Sequence, residues 1–165
     1  MIKVGVVGYG TIGKRVADAI LLQDDMNLVG VTANTYNYRI KTAAQKGIKI
    51  FPMLILDDEP IEDKVAIAGS ADALIEESDV IVDCTPKDIG RKNKRWYENY
   101  GVKAIFQGGE SSDVGRSFVA QCNYEKICGS DFIRVVSCNT TGLCRTLHAL
   151  DSKYSIEGVH ATMVR

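Results

Sequence analysis

An apolar run that breaks into three glycines opens the chain, and no other stretch restricts its fold as strongly. Ile2-Lys3-Val4-Gly5-Val6-Val7 is a short strand pattern, and it runs straight into Gly8-Tyr9-Gly10-Thr11-Ile12-Gly13. Val16, Ala17, Ile20 and Leu21 then recur at spacings of three and four, the period of a helix with one apolar face. Strand, glycine turn and helix in that order are the context in which G-x-G-x-x-G binds a dinucleotide. Gly8 allows the tight turn, Gly10 lets a pyrophosphate approach the backbone, and Gly13 lets the helix pack close to the strand. The free N–H groups of the first helical turn, those of Thr11 and Ile12 among them, then face the anion.

Composition narrows the reading further. The chain has 165 residues, the size of one domain with a proper core. Twenty basic against 21 acidic residues give a net charge of −1, which offers no electrostatic case for nucleic acid or an anionic membrane. No window holds the roughly 18 apolar residues of a membrane span, and Met1-Ile2-Lys3 does not open a signal peptide. The five cysteines include no C-x-x-C pair, so no disulfide framework or zinc site is expected. A reduced, cytoplasmic protein is the natural expectation.

Strand and helix patterns alternate along the chain, which predicts an α/β fold with a doubly wound, mostly parallel sheet of the Rossmann type. Strands are expected over 28–32, 48–51, 79–84, 102–107 and 133–137, with a short one over 65–69. Helices are expected over 36–46, from a Ser70 cap to residue 77, and over 90–100. Residues 54–64, with Asp57-Asp58-Glu59, read as a surface excursion, and 113–132 as loops with a short helix at 123–128. Ligands of such sheets lie beyond the carboxyl ends of the strands, which places Asn34, Thr85 and Pro86 at a cofactor cleft. Gly108-Gly109 at the end of a later strand suits the same close approach.

NAD-preferring enzymes carry an acid about 20 residues past the glycines, on the ribose 2′-hydroxyl. Here that region reads Thr32-Ala33-Asn34-Thr35, with neither an acid nor a base in place. Arg39 and Lys41 read as a solvated helix face, so little discrimination between NAD and NADP is expected. Arg91, Lys92, Lys94 and Arg95 read as another solvated face, and Trp96 as packing.

Cys138-Asn139-Thr140-Thr141-Gly142 follows a strand and precedes Leu143, Thr146, Leu147 and Leu150 at helical spacing. Cys138 therefore stands at a helix N-terminus, with Asn139 and Thr140 as capping candidates. Helix N-termini favour thiolates, the nucleophilic form of cysteine. The alternative for Cys138 is a small buried residue.

The fingerprint continuing through Lys14-Arg15-Val16-Ala17-Asp18-Ala19, together with Gln107-Gly108-Gly109-Glu110, resembles archaeal-type phosphorylating glyceraldehyde-3-phosphate dehydrogenases. So does Arg134-Val135-Val136-Ser137-Cys138-Asn139-Thr140-Thr141-Gly142-Leu143-Cys144-Arg145, and the resemblance runs in order along the chain. It implies Cys138 as a nucleophile toward the aldehyde carbon of glyceraldehyde 3-phosphate. Hydride then passes to NAD or NADP, and inorganic phosphate releases 1,3-bisphosphoglycerate from the thioester, a glycolytic step. It also implies substrate contacts at Ser137 and Asn139, backbone contacts to the cofactor at Thr11, Ile12 and Gly109, and a homo-oligomer, a tetramer in the family.

Three departures accompany it. Val7 replaces the family's Asn before the first glycine, and Ala33 stands where the family often has Lys, which argues against strong NADP preference. Family members are also about twice as long, and their histidine base lies in the other half. Residues 1–137 are therefore expected to be the dinucleotide-binding domain. Residues 138–165 are expected to carry the catalytic helix and, over 156–165, the first strand of an incomplete substrate domain. His148 and His160 read as structural. The competing readings are a stand-alone nucleotide-binding module, with Cys138 vestigial or redox-sensing, and a semialdehyde dehydrogenase.

Overall fold

In the computed structural model the described residues are 1–53 and 64–162. Among these residues seven strands form one sheet: β1 (Ile2–Val7), β2 (Met26–Ala33), β3 (Ile50–Pro52), β4 (Val80–Asp83), β5 (Lys103–Phe106), β6 (Arg116–Phe118) and β7 (Phe132–Val135). Six helices accompany them: α1 (Thr11–Ile20), α2 (Tyr38–Gln45), α3 (Ala71–Glu76), α4 (Ile89–Tyr100), α5 (Ala120–Ile127) and α6 (Cys138–Tyr154). The strand order is β3-β2-β1-β4-β5-β7-β6, and every pairing is parallel.

Consecutive side chains of a strand point to opposite faces, so a sheet covered on both sides needs continuous apolar runs. Strands β1 to β4 show this residue by residue. Val6, Val31, Ile50 and Val82 join the cluster that includes Ala17, Ile20 and Ile40 of α1 and α2. Their neighbours Val7, Phe51 and Ile81 face the other way, into a cluster with Leu74, Tyr97 and Phe106. Val29, two residues before Val31, also joins the second cluster, because a register shift between Val4 and Gly5 interrupts the β1–β2 ladder.

The sequence reading misses one strand. β6 pairs with β7 at the sheet edge, and its Arg116-Ser117-Phe118 has no apolar alternation to announce it. α5 also starts three residues earlier than expected. Ile67 makes a single bridge to Ile50 rather than a strand. No ladder partner is present over 155–162, so the strand expected at 156–165 is not formed among the described residues. The expected surface excursion at 54–64 falls outside the described residues except for Lys64.

Candidate functional site

The strand order reverses between β1 and β4, and the loops after those two strands separate to leave a crevice at their carboxyl ends. Gly8, with φ +90°, turns the chain after β1 in a conformation that side chains rarely adopt. Its ideal Cβ would lie 3.0 Å from the Thr85 nitrogen, so the β1 and β4 loops meet backbone to backbone. Gly108 after β5 is as tightly placed: its Cβ would lie 2.3 Å from the Thr85 oxygen. Cys84 N–H donates to Val7 O (2.7 Å) and Gln107 N–H to Asp83 O (2.7 Å), which ties the three loops together. Thr32, buried on β2, accepts a hydrogen bond from Gly8 N–H at 2.9 Å and fixes the fingerprint from the other side.

The three fingerprint glycines serve three different purposes. A Cβ on Gly13 would lie 2.0 Å from Gly8 O, so α1 can pack this close to the turn only without a side chain there. A Cβ on Gly10 would meet nothing within 4 Å, because Gly10 faces the open cleft. Gly10 is also the N-cap of α1 and supplies no side-chain acceptor, and the first turn contains no acid. The first N–H groups of α1 therefore remain available to an anion. The cradle fits a pyrophosphate.

The cleft holds about 520 Å³ and is lined by Gly8, Gly10, Thr11, Ile12, Asn34, Thr85 and Pro86, seven of the residues expected there. Gly13 lies behind the turn. Gly109 lies instead in an adjoining hollow of about 440 Å³ with Ser137, Cys138, Thr141 and Arg145. Ile12 and Gln107 line both spaces, so the cleft and the hollow adjoin.

Cys138 is exposed as the first residue of α6. The expected caps Asn139 and Thr140 do not cap it: Ser137 is the N-cap, and its hydroxyl accepts from Thr140 N–H at 3.2 Å. A cap must precede the helix, and α6 begins at Cys138 itself. The Asn139 carboxamide oxygen lies 3.8 Å from the Cys138 sulfur. Gln121 of α5 bonds Arg145 at both its side chain and its backbone, and the Cys122 thiol donates to Cys144 O, which anchors α6 although none of its residues is buried. Among the described residues, those lining the Cys138 hollow include no histidine, carboxylate or lysine. His148 lies ten residues along the same helix, roughly 15 Å away at about 1.5 Å per residue. His148 and His160 are both exposed.

Asp83, at the end of β4, accepts four hydrogen bonds while buried: from Thr85 N–H and hydroxyl, Asn93 Nδ2 (2.9 Å) and Tyr97 OH (2.6 Å). The network braces the Thr85-Pro86 rim from behind, and nothing in the local sequence pattern announces it. Burial, followed by the Asp83 charge, pushes the Tyr97 phenol far above its ordinary value. The same causes push the Cys84 thiol up to about 12, which removes Cys84 as a nucleophile near neutral pH. Arg91 pairs with Asp113 and Lys94 with Glu98, and the Trp96 indole donates to Asp72, as solvated and packing residues should.

Arg39 requires a correction. Expected on a solvated face, it lines the cleft, and its guanidinium donates to Thr11 Oγ1 at 3.3 Å. The fold closes the gap of 28 residues between Arg39 and Thr11, which sequence spacing does not show.

The parallel sheet, the glycine cradle at its switch point and the uncapped α1 define a Rossmann-type domain for a nicotinamide dinucleotide. A family profile described as "Dihydrodipicolinate reductase, N-terminus" matches residues 2–112, and the chain belongs to that family. Its sequence corresponds more particularly to the N-terminal half of archaeal glyceraldehyde-3-phosphate dehydrogenases. The one from Thermococcus kodakarensis is 52% identical over 169 residues, covering 99% of this chain and 49% of that protein. The one from Methanobacterium bryantii is 48% identical over 168 residues, covering 100% of this chain and 50% of that protein. The chain thus spans about half the length of the curated relatives it matches. Among solved structures, scyllo-inositol dehydrogenase from Lactobacillus casei aligns at TM-score 0.49 and 17% identity, over 66% of this chain and 28% of that one. Among the described residues no helix is long and apolar enough to cross a membrane.

Proposed function

We propose that this chain carries the cofactor-binding half and the nucleophile of an NAD(P)-dependent phosphorylating glyceraldehyde-3-phosphate dehydrogenase. The observation that carries the reading is that the glycine cradle's cleft and the Cys138 hollow share the walls Ile12 and Gln107. Gly8, Gly10, Thr11 and Ile12 would hold the pyrophosphate on the open turn of α1, while Asn34, Thr85 and Pro86 form the walls. Gly109, with φ +77°, presents backbone to the Cys138 hollow. The bound dinucleotide supplies a hydride acceptor.

Cys138 supplies the sulfur that adds to the aldehyde carbon of glyceraldehyde 3-phosphate and retains the acyl group until inorganic phosphate takes it. Ser137 and Asn139 flank the substrate. The thiol loses a proton and the hemithioacetal hydroxyl loses another, so the complete reaction needs a base. Among the described residues, none lining the Cys138 hollow can act as one. General acid–base help is worth about 10² to 10⁴ in rate, so the 165-residue chain alone binds cofactor without appreciable turnover. Residues 1–137 then form the dinucleotide-binding domain, and 138–165 begin the substrate domain.

Titration calorimetry with NAD and NADP tests the binding half of this reading. Adding the C-terminal half of an archaeal glyceraldehyde-3-phosphate dehydrogenase in trans, with glyceraldehyde 3-phosphate and phosphate, tests the rest. Phosphate-dependent NAD(P)H formation that disappears in Cys138→Ser supports it. A complemented chain equally active without Cys138 refutes the nucleophile, and activity only with another aldehyde points to a semialdehyde dehydrogenase.

A further inference from the structure

We infer that Arg134 and Glu110 form a buried latch that positions Cys138, tying the segment that leads into the nucleophile to the loop facing it across the hollow. The inference rests on the reading of Cys138 as the nucleophile and adds to it the residues that hold its sulfur in place.

The Cys138 hollow has two walls. Gln107 and Gly109, in the loop after β5, belong to one; Val136, Ser137 and Cys138, between β7 and the head of α6, belong to the other. The β5–β7 ladder ends at Phe106 and Arg134, so among the described residues no strand pairing joins these walls farther on. A side chain takes over there. Arg134 Nη1 donates to the Glu110 backbone oxygen at 2.9 Å, across 24 residues of chain.

The Glu110 end of the latch is set by burial. Gly109 turns the chain with φ +77°, and Glu110 follows with only 1% of its surface exposed. Its Oε1 would lie 2.9 Å from a Cβ on Gly90, in the first turn of α4. The side chain therefore wedges against a helix end that favours negative charge, and the N-cap Asp88 provides no side-chain bond there. Among the described residues, both Glu110 carboxyl oxygens and Arg134 Nε are buried without a hydrogen-bond partner. Opposite charges attract at low dielectric without touching, so each side chain holds the other toward the core. Buried pairs of this kind are a poor source of stability, and fixing one arrangement is their better-attested use. That use matters here because α6 has no buried residue, so the core does not fix its head. The latch does, four residues before Cys138, while the Gln121 and Cys122 contacts hold the helix farther along.

The test is iodoacetamide modification of the 165-residue chain near neutral pH, read by peptide mass mapping as the rate ratio of Cys138 to Cys128. Thermal melts establish that each variant is folded, and calorimetry sets the NAD concentration that saturates it. A head of α6 freed from the latch loses aligned N–H groups that favour a thiolate, so Arg134→Met should lower the ratio about threefold or more. Saturating NAD, which slows Cys138 in the wild type, should protect it less in this variant. Arg134→Lys keeps a cation and a donor and should recover most of the ratio and of the protection. Glu110→Gln, of equal size and with the same backbone oxygen, should lower the ratio about twofold and answers the question if Arg134→Met does not fold. A merely structural pair would lower the melting temperature and leave the ratio unchanged in the folded protein. An unchanged ratio in folded Arg134→Met or in Glu110→Gln overturns the inference, as does Arg134→Lys no better than Arg134→Met. A wild type whose Cys138 reacts no faster than Cys128 instead removes the nucleophile reading, and the latch with it.

Discussion

Two glycines three residues apart should fail in opposite ways when each gains a side chain. An alanine Cβ at position 13 would lie 2.0 Å from Gly8 O, whereas carbon–oxygen contacts normally fall near 3.3 Å, so α1 must retreat by about 1.3 Å. Extra carbon in a close-packed site costs typically 1–3 kcal/mol, and this contact belongs at the upper end. The better helix propensity of alanine returns at most about 1 kcal/mol. Gly13→Ala should thus lose about 2 kcal/mol, a fall of about 4–8 °C in Tm for a chain of this size. A Cβ at position 10 meets no protein atom within 4 Å, so Gly10→Val should cost little more than a poor N-cap does, about 1 kcal/mol. Its side chain instead fills the space reserved for pyrophosphate, so dinucleotide affinity should fall at least a hundredfold, about 2.7 kcal/mol. Thermal melts and titration calorimetry on the same two proteins read both effects. Unchanged affinity in a folded Gly10→Val protein, or an unchanged Tm in Gly13→Ala, would refute this division of labour.

Tyr97→Phe removes one of the four donors to buried Asp83 and should cost roughly 2 kcal/mol; a melt indistinguishable from wild type would show the network to be idle. Stability should also fall in alkali. Cys84 keeps its proton in the fold up to about 12 against 9.0 in the unfolded chain, so its contribution is whole below about pH 9 and drains away as pH rises toward 12. At 1.36 kcal/mol per unit it reaches about 4 kcal/mol, and Cys84→Ala should flatten that arm of the pH–Tm curve; an identical curve contradicts the assignment. Iodoacetamide near neutral pH should modify Cys138 before Cys128, the other exposed cysteine, because Cys138 heads a helix; peptide mass mapping that finds Cys128 first argues against a special role. Saturating dinucleotide should slow the Cys138 reaction, since the two spaces share Ile12 and Gln107.

The sequence alone determined the elements whose cause is local. Apolar runs announced β1, β2 and β4, because a strand buried on both faces can hold little else. The glycine spacing announced the cradle, since each glycine answers a backbone demand within thirteen residues. The position of Cys138 at the head of α6 was legible for the same reason, though its cap was not: Ser137 and Asn139 are both good capping residues, and only the backbone decides where the helix starts. Tertiary structure decided the rest. β6 carries no pattern of its own and exists because β7 offers it an edge. The Asp83 network draws on β4, the loop after it and α4, and its members lie as far as 14 residues apart, beyond the reach of any local period. Arg39 shows the limit most clearly. Its side chain sits on an exposed turn, and only the packing of α2 beside α1 brings it to Thr11 and turns a solvated cation into part of the cleft wall. Contacts between residues distant in the chain are a property of how the layers meet, and no local period encodes them.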